Sequence, residues 1–500
     1  MKLVNLSIVA AATCLLATSA HALKSEDRTV KGNYQVEYTK VPGAVNSIGE
    51  MFTEGEVYGR LRSNMFWWDW DNENATVQDN NMWGAGGSLV YKTGYFHGFG
   101  ATAGFYGTVP MHNDNTLGSG VTNYGKAGKD TYHTRSDGTE GAMGNFAEAY
   151  LEYKNGKSNV KVGRQGIDSM MLATNDTKMI PNTFEAAVIE NKDIPDTSIR
   201  AGYIMSQKLR DHQTFHSLIE YAKYSANDDS GAHKGLTAAN IRSRGAGDVD
   251  PEMILLTVQN TSVPNLKLNG EYVGLNGFFN TAIAEANYKI KLGDAWTLTP
   301  GIRYLRQMDD GAGKIGGASL SGNRYATGTG SAAKIAAMQN SYTNPDSVDG
   351  SIIMARLVAA NGPLELSAGY SKISDDADII APWRGFPTGG YTRSMAQVDW
   401  IANTKNWAVK AVYDFGKAGL VPGLKVAADY ENMNFDDAKS ATSGFTDRDI
   451  FHVDAWQTFK ALPNTEFKLR FATIDADPAT AGGVDYNSYN EYRFEINYLF

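Results

Sequence analysis

Residues 490–500 read Asn-Glu-Tyr-Arg-Phe-Glu-Ile-Asn-Tyr-Leu-Phe, and this stretch decides the fold class. Large apolar side chains alternate strictly with other residues: Tyr492, Phe494, Ile496, Tyr498 and Phe500. A period of two residues is typical of a β-strand. In water the apolar face would pack on a core, whereas in a membrane it would meet lipid while the polar face lined a lumen. The rest of the chain decides between these alternatives.

The first residues have the pattern of a secretory signal peptide. Lys2 precedes an apolar run at 6–16, and Ala20-His21-Ala22 is a small-residue cleavage site, so we expect residues 1–22 to be removed. Cys14, the only cysteine, lies in this segment, which leaves the mature chain without disulfides or thiol chemistry. No later stretch has the roughly 20 apolar residues of a membrane helix. An exported chain of this kind can still span a membrane as a closed β-barrel.

Composition excludes some classes of function and favours one domain. The formal net charge of -9 is too acidic for a nucleic-acid partner. The 52 glycines and 26 tyrosines suit turns and interfacial strands. No linker or change of composition divides the chain. We expect a polar, irregular periplasmic leader at 23–52 and a barrel at 53–500.

Strand-like segments come in pairs across tight turns such as Asn155-Gly156, a strong hairpin signal. Eight such hairpins lie between a first strand near 54–64 and the last strand, which gives about eighteen, an even number as a bacterial barrel needs. Long polar segments separate the hairpins, at 67–81, 108–144, 206–250, 308–350, 374–405 and 434–448. The pattern predicts an all-β, single-chain, transmembrane antiparallel β-barrel with short periplasmic turns and long extracellular loops.

No pattern indicates catalysis or a bound cofactor. The nucleophile motif Gly-x-Ser-x-Gly is absent from the sequence. His212 and His216 have the spacing of a helical metal pair, but they lack a carboxylate motif and fall in a loop, so we interpret them as solvated histidines. Acidic pairs such as Asp375-Asp376 lack calcium-loop spacing; they solvate the outer loops or hold divalent ions that bridge to lipid headgroups. We predict no enzyme, no cofactor and no metal site.

Basic residues recur on the less apolar face of the strands. Assigning the more apolar face to lipid turns twelve of them inward: Arg60, Arg62, Lys161, Arg200, Lys267, Arg303, Arg356, Lys410, Lys425, Lys468, Arg470 and Arg493. They could be polar filling whose charges pair across strands. They could equally form a basic track that draws anions through a narrow pore. The sequence leaves both open.

A family resemblance rests on one block. Val160-Lys161-Val162-Gly163-Arg164-Gln165 precedes Asn175-Asp176-Thr177-Lys178-Met179-Ile180-Pro181-Asn182-Thr183-Phe184-Glu185. This resembles the third-loop region of the OprD-type outer-membrane porins, substrate-selective diffusion channels. Trp83-Gly84-Ala85-Gly86-Gly87 and Val421-Pro422-Gly423-Leu424 add support. Residues 166–174 depart from the family pattern, which leaves the choice of substrate open.

The resemblance implies an eighteen-stranded barrel whose third loop, at 166–182, bends inward to form a constriction. Asp168, Asn175, Asp176 and Lys178 would then line the opening, and the inward cations would guide carboxylate-bearing solutes. The apolar residues of that loop independently favour an inward position, because irregular backbone is excluded from lipid but allowed in a lumen.

We therefore predict an outer-membrane porin for passive diffusion of small hydrophilic solutes, with a preference for anions or carboxylates. The alternative is a surface adhesin or receptor that displays long loops on a barrel scaffold. The expected partners are outer-membrane lipid, lipopolysaccharide and small solutes, with no nucleic acid. The sequence leaves open whether three barrels form a homotrimer.

Overall fold

The computed structural model describes residues 28–31, 34–74, 77–113, 131–134, 140–172, 174–210, 212–220, 238–243, 245, 247–319, 331–381, 383, 385–395, 400–478 and 483–500. The predicted signal peptide lies outside these residues. All structural statements below concern the described part of the chain.

Eighteen long antiparallel strands form one closed barrel, so the predicted fold class is confirmed. Each pairs with its neighbours in the chain, and the last pairs with the first. In chain order, β1 to β18 are Glu56–Trp70, Asn80–Lys92, Phe99–Asn113, Met143–Asn155, Ser158–Gln165, Thr183–Asn191, Thr197–Lys208, Met253–Asn260, Leu266–Leu275, Phe279–Tyr288, Trp296–Asp309, Gly350–Asn361, Leu364–Ile373, Lys405–Asp414, Leu424–Asn434, Arg448–Phe459, Leu462–Ala476 and Tyr489–Leu499.

The final strand closes the sheet. β18 pairs with β1 from Tyr489, opposite Trp70, to Leu499, opposite Arg60. Beyond that register, the backbone N–H of Gly59 donates to the Phe500 carbonyl at 2.8 Å, and the N–H of Phe500 donates to the Gly59 carbonyl at 3.0 Å. Closure leaves no row of unpaired amides to face lipid.

Period-two alternation separates two faces of the barrel wall. On β8, Ile254, Leu256 and Val258 are exposed on the outside, whereas Met253 and Leu255 are buried inside. Short hairpin turns lie at one end of the barrel. At Gly156, φ is +58°, and a positive φ at the first loop residue matches the twist of the flanking strands.

One predicted loop is much shorter than expected. The sequence predicts a long loop at 67–81, but β1 continues to Trp70 and β2 begins at Asn80. The extension is stabilised by aromatic packing, because the Trp68 and Tyr489 rings stack with centroids 4.1 Å apart. Trp68 faces inward. Because Trp67 and Trp68 are adjacent and equally apolar, the sequence does not indicate which of the two faces the lumen.

The remaining regular structure lies in connections and at the amino-terminal end. Within the described residues, the short helices are α1 Ile48–Thr53, α2 Ala238–Ser243, α3 Ala312–Gly316, α4 Ser331–Ser341 and α5 Asp437–Ser443. Further short strands are Arg28–Val30, Val36–Tyr38, Ala44–Val45, Tyr95–Phe96, His133–Thr134, Glu140–Gly141 and Ile290–Leu292. None of the helices in the described residues has the length and hydropathy of a membrane span.

The amino-terminal region differs from the irregular leader expected at 23–52. Arg28–Val30 pairs antiparallel with Val36–Tyr38; we call the described residues 28–31 and 34–38 the amino-terminal hairpin. Ala44–Val45 then pairs with Tyr95–Phe96 beside the turn between β2 and β3. The chain therefore makes a hairpin before it reaches the turn end of the barrel and enters β1.

Candidate functional site

Cross-strand register assigns the twelve predicted cations to one face. Residues directly opposite each other on neighbouring strands point to the same side. Arg493 lies opposite Arg470, which lies opposite Asp454, while Arg493 on its other side lies opposite the buried Phe66. Following the register from strand to strand in the same way places the other predicted cations on the inner face: Arg60, Arg62, Lys161, Arg200, Lys267, Arg303, Arg356, Lys410, Lys425 and Lys468. Whether they act as an anion track stays a prediction.

Asp176 joins the segment 166–182 to β1. Its two carboxylate oxygens contact the Arg60 and Arg62 guanidiniums at 3.0 and 2.7 Å. All three side chains are nearly fully buried. Arg60 also donates to the Asn497 side-chain oxygen from two nitrogens, at 3.1 and 2.6 Å. Two buried cations on one strand thus share one carboxylate from the loop.

The neighbours of Asp176 extend this contact. The Lys178 carbonyl accepts a hydrogen bond from the Asn64 amide at 2.7 Å, and the Lys178 ammonium lies 3.9 Å from the centroid of the Phe66 ring. Asn175 is buried, and its side-chain oxygen accepts from the Thr177 backbone N–H and hydroxyl. Two of the predicted constriction residues, Asp176 and Lys178, therefore contact the inner face of β1, and Asn175 precedes Asp176 in the same segment.

The other end of the segment is bound by β7 and β9. Glu271 accepts hydrogen bonds from the Ser169 hydroxyl and from the backbone N–H groups of Met170 and Met171, at 2.7 to 2.9 Å. Arg200 donates to the Asp168 carbonyl at 2.6 Å. Asp168 is thus separated from the group around Asp176. Residues 166–182 are tied to strands on well-separated parts of the barrel.

A second connection also lies inside, which the sequence reasoning missed. Arg303 donates to the carbonyls of Pro387 and Gly389, and Arg356 donates to that of Gly390 at 2.7 Å. Both guanidiniums lie over the Tyr391 ring, 4.7 and 4.6 Å from its centroid. The sequence predicts only an outer loop at 374–405, although the apolar run Ile379-Ile380-Ala381 is a signal that part of it is buried.

The two inner segments meet. Trp383 is fully buried, and its indole N–H donates to the Met171 carbonyl at 3.0 Å. Around them the inner faces of β6 to β13 are apolar in places, as at Leu255 and Val273. This core fills part of the lumen on that side of the barrel. Inner-facing apolar positions were not separable from lipid-facing ones by periodicity alone.

A cluster of charge lies on β15, β16 and β17. Asp454 accepts from two nitrogens of Arg470 at 2.8 and 2.9 Å, and its carboxylate lies 3.1 Å from the Lys468 ammonium. His452 lies between Asp454 and Asp429, at 3.2 and 3.0 Å. Charge pairing of this kind agrees with the polar-filling interpretation for these cations.

The amino-terminal hairpin covers the cations of β1. The Tyr34 carbonyl accepts from Arg60 at 2.7 Å, and the Arg60 and Arg62 guanidiniums lie 5.7 and 5.5 Å from the centre of its ring. Burial raises the pKa of the Tyr34 hydroxyl well above its ordinary value, and the negative charge of Glu495 adds to the rise. The side chain therefore stays neutral at ordinary pH.

Cavities remain between these filled regions. One of about 300 Å³ lies between the amino-terminal hairpin, the inner wall of β2 to β6 and the segment 166–182. Another of about 430 Å³ lies near the short turns, and its lining includes Lys267, Lys289 and Arg356. Glu285 is the one carboxylate in the described lining of this second cavity, and Arg303 contacts it at 2.5 Å.

The histidine pair is not solvated as predicted. His212 and His216 are buried, with ring nitrogens 2.5 Å apart. The chain after β7 folds back, so that His216 and Gln207 exchange backbone hydrogen bonds at 2.9 Å, and this turn buries both rings. The described residues contain no cluster of three or more His, Cys, Asp or Glu side chains placed to hold a metal ion.

Comparison of whole chains gives the family. No curated protein sequence matches the chain. Its solved structural neighbours include OccK9 (OpdG) of Pseudomonas aeruginosa, with a TM-score of 0.67 and 17% identity. OccAB3 of Acinetobacter baumannii has a TM-score of 0.66 and 15% identity. Each of these two alignments covers 90% of this chain and 99% of the neighbour's chain. OpdK of P. aeruginosa, solved with vanillate, has a TM-score of 0.64 and 16% identity, covering 89% and 98%. At these identities the likeness concerns the fold.

The sequence itself matches the model of the outer membrane porin family OprD over residues 50–498. The match extends over nearly the whole barrel, from α1 to β18. The chain therefore belongs to the OprD family and is a porin of the Gram-negative outer membrane.

Proposed function

We propose that this porin favours anions and that small carboxylates are among its solutes. The observation that carries the proposal is the cavity near the short turns, where Lys267, Lys289 and Arg356 face one carboxylate. Glu285 is already bonded to Arg303, so its charge is largely compensated. A lumen with low-dielectric walls focuses the field of such uncompensated cations and raises the local concentration of anions.

Size is compatible with a small organic acid. Ligand sites in proteins commonly have volumes of about 300–1,000 Å³, and this cavity has about 430 Å³. The OpdK relative was solved with vanillate, itself a carboxylate. We extend that ligand class, not the compound, to this chain.

We also propose that the segment 166–182 is the constriction. It is bound at one end to Arg60 and Arg62 and at the other to Glu271, so it crosses between separate parts of the inner wall. Asp176 and Lys178 would then adjoin the narrowest opening, with Asp168 and Asn175 beside them. The inner segment that carries Trp383 and Tyr391 would support it from the far side.

The test of anion preference is a reversal potential in a salt gradient across a planar bilayer. Replacing Lys267 and Arg356 together by glutamine should move the reversal potential away from anion selectivity, because two inner charges are lost. The matched control is Lys372→Gln, which removes one cation on the outer face, opposite Lys405. An unchanged reversal potential in the double variant, with the barrel folded, would reject the proposal.

Two other possibilities are a surface adhesin or receptor and a homotrimer of barrels. The adhesin alternative has no support in the family match. The sequence leaves open whether three barrels associate, and cross-linking of the protein in its native membrane, followed by electrophoresis, tests this. A monomeric product at all cross-linker concentrations would reject the trimer.

A further inference from the structure

The amino-terminal hairpin lies in the lumen although it precedes the family match, which begins at residue 50. Arg28 is buried, and its guanidinium donates to the Gly59 carbonyl at 2.9 Å. On the opposite side, the Lys31 ammonium lies 3.7 Å from the Asp168 carboxylate. The hairpin thus contacts both β1 and the segment 166–182.

Two tyrosines of the hairpin cover four cations of the wall. Tyr34 has Arg60, Arg62 and Lys468 over its ring, with the Lys468 ammonium 4.8 Å from the centroid. Tyr38 has the Lys92 ammonium 4.6 Å from its centroid and packs on the Tyr58 ring at 4.5 Å. Cation–π contacts strengthen when both partners are shielded from water.

The hairpin also forms one side of the 300 Å³ cavity. Its contribution to the lining runs from Lys31 through Gln35, Val36 and Glu37 to Tyr38. The opposite side comes from residues of the barrel wall, Lys161 among them, and from the segment 166–182. Any solute that passes through this cavity meets the hairpin as directly as it meets the barrel.

We propose that the amino-terminal hairpin is a fixed wall of the permeation path that determines selectivity, because it narrows the lumen beside β1 and screens Arg60, Arg62, Lys92 and Lys468 from passing ions. The covered surface carries two guanidiniums and two ammoniums; Arg60 and Arg62 share the Asp176 carboxylate and Lys468 contacts Asp454, so two carboxylates contact these four cations. Tyr34 and Tyr38 occupy this surface with neutral aromatic rings. The inference rests on the porin family and not on the anion preference proposed above.

The main test removes residues 28–38 and keeps residues 1–27 and 39–500. Single-channel conductance in symmetric salt should rise, because the lumen widens, and this readout does not depend on the sign of the preferred ion. In a salt gradient the reversal potential should shift toward anions, because four cations are uncovered. A folded deletion variant with unchanged conductance and reversal potential overturns the proposal.

Point variants test it where the deletion fails to assemble. Tyr34→Ala removes the ring and should shift the reversal potential in the same direction as the deletion. Tyr34→Phe is the matched control, because within the described part of the chain the Tyr34 hydroxyl makes no hydrogen bond. We expect it to behave as the parent protein. Equal behaviour of the alanine variant and the parent overturns the screening role.

A cross-link tests whether the wall is fixed. Cysteines at Lys31 and Asp168, whose charged groups lie 3.7 Å apart, can be joined by a short bifunctional thiol reagent, with Cys14 replaced by serine in the background. Cross-linked and uncross-linked channels should have the same conductance. A loss of conductance on cross-linking would mean that the hairpin must move for ions to pass, and it would overturn the fixed wall.

Discussion

At the scale of single residues, Asp176 compensates two buried guanidiniums at once. Replacing it by asparagine keeps the size of the side chain but leaves Arg60 and Arg62 without their shared carboxylate. Breaking a buried ion pair from one side typically costs about 3–5 kcal/mol. We expect the segment 166–182 to detach from β1 more often, which should appear as larger current fluctuations and faster tryptic cleavage at Lys178.

Asp168→Asn is the matched control for Asp176→Asn. It makes the same chemical change in the same segment, but the Asp168 carboxylate and the Lys31 ammonium are partly exposed and 3.7 Å apart. Ion pairs with such exposure contribute about 0–1 kcal/mol. Its current noise and cleavage rate should stay close to those of the parent, and equal effects of the two variants would contradict our assignment.

The direction of the inner cations was predictable, but their partners were not. Period-two alternation assigns Arg303 and Arg356 to the inner face from sequence, because a strand has only two faces. Their contacts with Tyr391 come from a connection that has no periodicity. Likewise, nothing local to β1 indicates that Tyr34 and Asp176 cover Arg60 and Arg62.

At the scale of elements, the segment 166–182 is bound by contacts at both of its ends. Removing residues 170–178 eliminates the contacts with Arg60 and Arg62 and those that the Met170 and Met171 N–H groups make to Glu271. If the segment narrows the pore, single-channel conductance should rise and discrimination among solutes should fall, as measured in bilayers and in liposome-swelling assays.

The control deletion removes α5, Asp437–Ser443, a short helix in another connection. It should leave conductance close to that of the parent. A folded 170–178 deletion variant with unchanged conductance would place the constriction elsewhere and remove the role proposed for Asp168, Asn175, Asp176 and Lys178.

Strands were easier to predict than the segments that fill the barrel. Strand positions follow from alternation and turn chemistry, as in the hairpin of β4 and β5. The amino-terminal hairpin had a weaker signal that was missed: Gly32-Asn33, a turn dipeptide, lies between Thr29-Val30 and Val36-Glu37-Tyr38. The position of this hairpin in the lumen depends on contacts with residues that are distant in the sequence, so it cannot be predicted from a local sequence pattern.

At the scale of the whole molecule, the connections at one end of the barrel are all short, whereas most of those at the other end are long, residues 276–278 between β9 and β10 being an exception. We expect this asymmetry to set the orientation of the barrel in the membrane. Single cysteines replace Thr343, exposed in a long connection, or Asp294, exposed in a short turn. With Cys14 changed to serine, an impermeant thiol reagent should label intact cells only at position 343. Labelling only at position 294 would show that the short turns face the outside of the cell. Equal labelling at both positions would mean that the lengths of the connections do not determine the orientation.

The seam between β1 and β18 has a consequence for how the chain folds. Arg60 and Asn497, which are bonded across it, are 437 positions apart in the sequence. Bringing such distant ends together costs roughly 5 kcal/mol of chain entropy before any contact at the seam offsets it. Closure is therefore expected late, after the local hairpins have formed. Until then both terminal strands present open edges that can pair with another chain. Both β1 and β18 must therefore be in place before the barrel loses these open edges.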